Sequence, residues 1–150
     1  MITVESVAID DPRARALWAE QQSELSERYG EPDIAGDFAD RLPPGELLAS
    51  LLALDSSGEP VGTGLVRWSP YETGAGSVEV KRLYVRPEHR GKGYSRVIMG
   101  AIERVAWRAG AVKLVLETGD AQPEAIALYR GIGYSDYAQF GPYVGEARSV

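Results

Sequence analysis

The sequence predicts one mixed α/β (α+β) domain. Two observations carry that prediction. In the second half, apolar runs of strand length alternate with amphipathic runs of helix length, giving strand, helix, strand, helix. No linker, internal repeat or low-complexity tract interrupts residues 1–150, a length that buries one core. Charged residues at 25% and hydrophobic ones at 44% suit a globular chain in water, and no apolar run nears the roughly 18 residues of a membrane span.

Residues 2–7 read as a first strand. Asp10 or Asp11 then caps a helix with Pro12 at its first position, where a missing N–H costs nothing. Ala14, Leu17, Trp18, Gln21, Leu25 and Tyr29 mark one face of that helix, and Gly30 stops it. Residues 30–44 read as a broken second helix or a loop. Residues 47–54 and 61–68 are apolar runs joined by a turn around Ser57-Gly58, a hairpin signal. Residues 71–76 turn into a central strand, 78–85, which Pro87 ends. Val97, Ile98, Ala101, Ile102, Val105 and Ala106 give the next helix its buried stripe, and Gly110 ends it. Residues 112–118 form a further strand. Pro123 opens a last helix with Ala125, Ile126, Leu128, Tyr129 and Ile132 on one face, ending at Gly133. Two short strands over 134–140 and 143–149 complete the expected sheet.

The chemistry concentrates between the central strand and the helix after it. Gly91 and Gly93 let the backbone turn without a Cβ penalty. A loop that feeds free N–H groups into a helix N-terminus is an anion site, and Arg90, Lys92 and Arg96 add positive charge around it. The ligand expected there is a phosphate or pyrophosphate. The loop fits neither the nucleotide P-loop nor the three-glycine dinucleotide fingerprint.

What the residues exclude is equally definite. With no cysteine there is no disulfide, thiolate metal site or cysteine nucleophile. His89 is the only histidine, so a histidine metal cluster or a Ser-His-Asp triad cannot be built, and no metal is expected. Net charge is −6, with thirteen acids against four arginines in residues 1–60, and six Lys/Arg against Glu88 alone in residues 81–96. An acidic domain with one compact basic spot suits a small anion and not nucleic acid. No secretion signal opens the chain, so the cytoplasm is the expected location and no membrane partner is expected.

Arg90-Gly91-Lys92-Gly93-Tyr94-Ser95, after the strand ending Leu83-Tyr84-Val85, resembles the pyrophosphate loop Gln/Arg-x-x-Gly-x-Gly/Ala of the GNAT superfamily, the Gcn5-related N-acetyltransferases. Ser95 stands where that motif has glycine or alanine. About thirty residues on, Glu124-Ala125-Ile126-Ala127-Leu128-Tyr129 with Gly133-Tyr134 looks like the family's second signature, Asn-x-x-Ala-x-x-Leu-Tyr…Gly-Phe. Gln122 stands where asparagine is frequent, and Tyr134 replaces the phenylalanine. The resemblance covers about residues 78–143; the first 60 residues add little to it.

The resemblance implies a mostly antiparallel mixed sheet of about six to seven strands with about four helices. It implies N-acetyl transfer from acetyl-CoA (coenzyme A) to an amine by direct attack. Cofactor contacts are then expected from Leu83, Tyr84, Val85, Arg90, Gly91, Lys92, Gly93, Tyr94, Ser95, Arg96, Gln122, Ala125, Leu128 and Tyr129. The pantetheine arm would lie where strands 78–85 and 112–118 part, pairing with main-chain groups of Leu83 and Val85. Tyr129 takes the role of general acid toward the departing sulfur, and Glu79 that of general base, with Glu117 as the spare carboxylate. Strict alternation would put Glu79 on the side of Lys81, Leu83 and Val85. The expected partner is a small-molecule or peptide amine, a cationic one given the acid of residues 1–60, and the expected assembly a homodimer. The alternative function is a non-catalytic acyl-CoA-binding or sensing domain.

Overall fold

The structure is a computed structural model and describes residues 1–30, 41–118, 122–141, 144–145 and 149–150. Its elements run β1 (Thr3–Val7), α1 (Pro12–Tyr29), β2 (Leu47–Leu54), β3 (Pro60–Trp68), β4 (Ser77–Val85), a short 3₁₀ turn (Pro87–His89), α2 (Tyr94–Arg108), β5 (Lys113–Val115) and α3 (Pro123–Gly131). The five strands form one sheet in sequence order. The first three pairings are antiparallel, and β4 and β5 are parallel. That parallel pair needs a crossover, which α2 supplies.

Local chemistry explains the helix ends. The carboxylate of Asp11 accepts the N–H of Arg13, with Pro12 opening α1, and Gly30 closes it in the left-handed conformation. The two helices α1 and α2 cover opposite faces of the sheet. Ile98, Met99, Ile102 and Ala106 of α2 pack on Val66, Val78, Val80 and Val85. On the other face Ala14, Leu17 and Trp18 of α1 pack on Leu52, Leu65 and Tyr84. Removing a wholly buried side chain such as Ile98 or Leu17 costs about 2–5 kcal/mol. Gly64 lets α2 approach closely, because a Cβ there would stand 2.7 Å from Ile102 Cδ1 and 2.8 Å from Ile98 Cγ2.

The central strand carries a bulge. Lys81 pairs with Leu65 and Tyr84 with Thr63, so three steps on β4 oppose two on β3. Arg82 absorbs the extra residue at φ 56°, and its carbonyl accepts the Thr63 hydroxyl at 2.8 Å. The alternation therefore reverses at Arg82. Leu83 and Val85 join the α2 face with Val78 and Val80, while Tyr84 joins the α1 face. Glu79 is thus not on the side of Leu83 and Val85, contrary to the expectation from strict alternation.

Five strands and three α-helices among the described residues replace the expected six to seven and four. The strand expected over 112–118 shortens to Lys113–Val115. Residues 134–140 form no strand, and side chains hold them instead: the Tyr134 hydroxyl donates to Glu103 at 2.8 Å, and the ring of Phe140 lies 5.9 Å from that of Tyr71. One bridge survives where a terminal hairpin was expected, with Val150 N–H on the Thr118 carbonyl at 2.7 Å and its return bond at 3.3 Å. The rest of that expected hairpin (142–143, 146–148), the middle of the expected second helix (31–40) and the turn at 119–121 lie outside the described residues.

Candidate functional site

The parallel pairing of β4 and β5 is short, running only from Ser77 with Lys113 to Glu79 with Val115. Past Glu79 the two strands part, and β4 continues alone to Val85 on that side. A cleft of about 290 Å³ opens there. Leu83, Tyr84, Val85, Arg90, Gly91, Gly93, Tyr94, Ser95, Arg96, Gln122, Ala125, Leu128 and Tyr129 all line it, so every expected cofactor contact except Lys92 faces one space. Lys92 does not line it, and its ammonium stands 5.9 Å from the ring centroid of Tyr94.

One end of the cleft is formed by the Gly91 and Gly93 turn and the start of α2. Gly91 and Gly93 both sit at φ 79°, a conformation that side-chain-bearing residues rarely adopt, and no atom would crowd a Cβ at either. Conformation, not space, is what demands glycine. Gly93 caps α2 without any side-chain hydrogen bond, and the first bond into the helix is the long one from Val97 N–H to the Gly93 carbonyl at 3.4 Å. The N–H groups of Tyr94, Ser95 and Arg96 therefore point out of the helix end. Helix dipole and the Arg96 charge act there together.

The α1 helix supplies a wall that the motifs did not announce. Gln21, Glu24, Leu25 and Arg28 line the same cleft. Gln21 Nε2 donates to the Leu83 carbonyl at 2.9 Å, and Arg90 Nε donates to the Val85 carbonyl at 2.9 Å. Arg28 pairs with Glu124 of α3, and Gln122 Nε2 donates to the Tyr29 hydroxyl at 3.3 Å. The signal was present in the sequence, because Gln21, Leu25 and Tyr29 continue the packed stripe of Ala14, Leu17 and Trp18.

Tyr129 lines this cleft and also a second one of about 290 Å³, between β5, α3 and residues 134–140. Burial, and secondarily the charge of Glu117, push its hydroxyl up to about 12, so it holds its proton at any ordinary pH. Glu117 lines the second cleft with Thr118, Tyr134 and Tyr137. Glu79 lines neither. It is wholly buried, and Oε1 accepts from Arg67 Nε at 2.8 Å and Nη2 at 2.7 Å. Arg67 reaches Tyr71 and Glu46 as well. Beside them Lys81 is pushed below the usual ammonium range by burial, against the opposing charge of Glu79.

A glycine-turned helix N-terminus thus stands beside a strand that parts from its parallel neighbour, with one cleft bordered by both. The sequence profile of the acetyltransferase (GNAT) family matches residues 11–134, and the chain belongs to that family. It is 44% identical over 87 residues to an IAA acetyltransferase of Azospirillum brasilense, covering 58% of this chain and 55% of that one. It is 34% identical over 92 residues to the thialysine N-ε-acetyltransferase of Bos taurus, covering 57% and 54%. The chain thus spans about half the length of the curated relatives it matches. A crystal structure of a candidate acyl-CoA N-acyltransferase from Klebsiella pneumoniae superposes with a TM-score of 0.84 at 32% identity, covering 99% of this chain and 93% of that one.

Proposed function

We propose that the chain is an N-acetyltransferase that moves the acetyl group of acetyl-CoA to an amino group of a small-molecule or peptide acceptor. One observation carries the reading: the free edge of β4, the open N-terminus of α2 and the protonated Tyr129 all border one cleft. The residues present fit the cosubstrate. Its pyrophosphate suits the N–H groups of Tyr94, Ser95 and Arg96, with Arg96 and Lys92 as counter-charges. Its pantetheine arm suits the edge of β4 at Leu83 and Val85.

In the reaction the amine lone pair attacks the thioester carbon, the C–S bond breaks, and its electron pair leaves on sulfur. A main-chain N–H at the bulged end of β4 is our candidate for the charge that gathers on the carbonyl oxygen. Tyr129 donates its O–H toward the departing sulfur. Full transfer from a hydroxyl raised to about 12 to a thiolate of ordinary pKa near 8.5 is uphill by roughly three powers of ten. Tyr129 is therefore best read as a hydrogen-bond donor that stabilises the thiolate. For the amine's proton, Glu117, which lines the second cleft with Tyr129, is favoured over Glu79, which lines neither cleft and is paired with Arg67.

An acceptor entering from the second cleft meets Glu117, while Asp136 there is paired with Arg130 at 3.0 Å and Lys113 also lines the space, so the cationic amine we propose rests chiefly on the thialysine-acetylating relative. The test is calorimetry with CoA, followed by CoA release in the presence of lysine-like amines, polyamines, amino sugars and acidic amino acids. Turnover led by a cationic amine is expected. Tight CoA binding without turnover on any amine would leave the non-catalytic binder, and absence of CoA binding would overturn the assignment of the cleft.

A further inference from the structure

Gln21 occupies an unusual position for a residue of α1. Its side chain crosses to the central strand, where Nε2 donates to the Leu83 carbonyl at 2.9 Å. A carbonyl oxygen only accepts, so this contact fixes which end of the amide is nitrogen. The other end, Oε1, is then directed by the same rigid plane. It is buried, and it has no hydrogen-bond partner among the described residues. Buried amide oxygens are normally satisfied. Gln21 also lines the cleft, together with Leu83 and Tyr129.

A second observation bears on the same question. An extended arm lying along β4 needs acceptors for its own amide N–H groups. The two strand carbonyls in reach, those of Leu83 and Val85, already accept from Gln21 Nε2 and Arg90 Nε. Each of these carbonyls thus has one of its two lone pairs taken, and the buried acceptor beside them that has no donor is the oxygen of Gln21.

We propose that Gln21 Oε1 accepts an amide N–H of the pantetheine arm, so that a side chain of α1 stands in for the strand carbonyl it covers. The inference rests on the reading of this cleft as the acetyl-CoA site. It makes Gln21 a binding residue for the arm and leaves the pyrophosphate end untouched. The arm would then be held by α1 and β4 together, at the bulge that turns Leu83 toward α2.

The test compares CoA with 3′-phospho-ADP, which keeps the pyrophosphate and lacks the arm, by calorimetry on the full chain. Gln21→Leu removes donor and acceptor. Gln21→Lys keeps a donor for the Leu83 carbonyl and removes only the acceptor. Both variants should lower the preference for CoA over 3′-phospho-ADP by about 3- to 10-fold, the range for one lost hydrogen bond. A preference unchanged in both, or lost in Gln21→Leu and kept in Gln21→Lys, would overturn the proposal and leave Gln21 as a cap on Leu83. If Gln21→Leu does not fold, Gln21→Lys decides alone. Wild-type protein that binds neither ligand would instead overturn the cofactor reading itself.

Discussion

Arg90 and Glu24 face each other across the mouth of the cleft in two parallel contacts, Nη1 to Oε1 and Nη2 to Oε2, both at 2.8 Å. The same arginine lies 5.6 Å from the ring centroid of Tyr84 and donates to the Val85 carbonyl. The first residue of the pyrophosphate motif is thus held by α1. The two side chains are 35% and 26% exposed, so the pair adds at most about 1 kcal/mol to stability. Its larger expected effect is electrostatic, since a carboxylate stands at the entrance of the proposed anion site. Glu24→Gln should leave the melting temperature almost unchanged and tighten CoA binding about 3-fold at low salt. Calorimetry at about 20 and about 300 mM salt checks it, and the gain should fade at the higher concentration.

Gly93 tests the anion end. Its φ of 79° already strains any side chain, and Gly93→Asp adds a negative charge at the helix start. CoA affinity should fall by about 10-fold or more, while Lys92→Ala, which leaves the main-chain donors, should cost about 3-fold. Equal affinities of wild type and Gly93→Asp would move the site elsewhere.

Tyr129→Phe keeps the ring and removes the hydroxyl. The rate should fall about 10²-fold with CoA affinity nearly intact. Because the hydroxyl titrates only near 12, its loss should lower the whole pH–rate profile between about pH 6 and 10 without changing its shape. Glu117→Gln should act differently. It should slow the reaction most near neutral pH and less as pH approaches the pKa of the free amine, where no base is needed. Profiles of matching shape for the two variants would remove Glu117 from proton transfer.

Glu79 and Lys81 make predictions about stability. Glu79→Ala leaves the Arg67 charge enclosed with fewer partners and should cost about 3 kcal/mol, read from denaturant melts. Lys81 has a folded-state pKa lowered by burial, so the folded form binds its proton less readily than the unfolded one. Stability should rise with pH from that lowered value up to the ordinary value near 10.5, and the burden should be greatest below it. Lys81→Met should therefore raise the melting temperature at neutral pH, by an amount that shrinks as pH nears 10.5. A gain independent of pH would show that packing, not charge, is responsible.

Much of the candidate site is legible in the sequence alone. The Arg90–Arg96 loop and the Leu128-Tyr129 pair lie in local sequence, and local rules govern them: glycine for positive φ, a bare helix N-terminus for an anion, helical spacing for the stripe that carries Tyr129 into the cleft. The same locality makes the pairing of β2, β3 and β4 readable, since each follows the last through a short turn. Beyond that reach the sequence is silent or misleading. One inserted residue at Arg82 reverses every later side chain of β4, and no residue type announces it. Residues 134–140 lack the expected strand, and there Tyr134, Tyr137 and Phe140 find partners on Glu103, Lys113 and Tyr71, contacts distant in the chain that no local pattern announces.

What the sequence by itself determined, then, is the glycine-turned loop of residues 90–95 and the bare start of α2, because those depend on backbone conformation within a single turn. Tertiary structure alone decided the rest of the cleft. Gln21 and Glu24 reach Leu83 and Arg90 across 62 and 66 residues, and Glu79 is withdrawn into a pair with Arg67. Those outcomes turn on how a helix lies across a sheet, a balance of packing over the whole domain that no short stretch of the chain encodes.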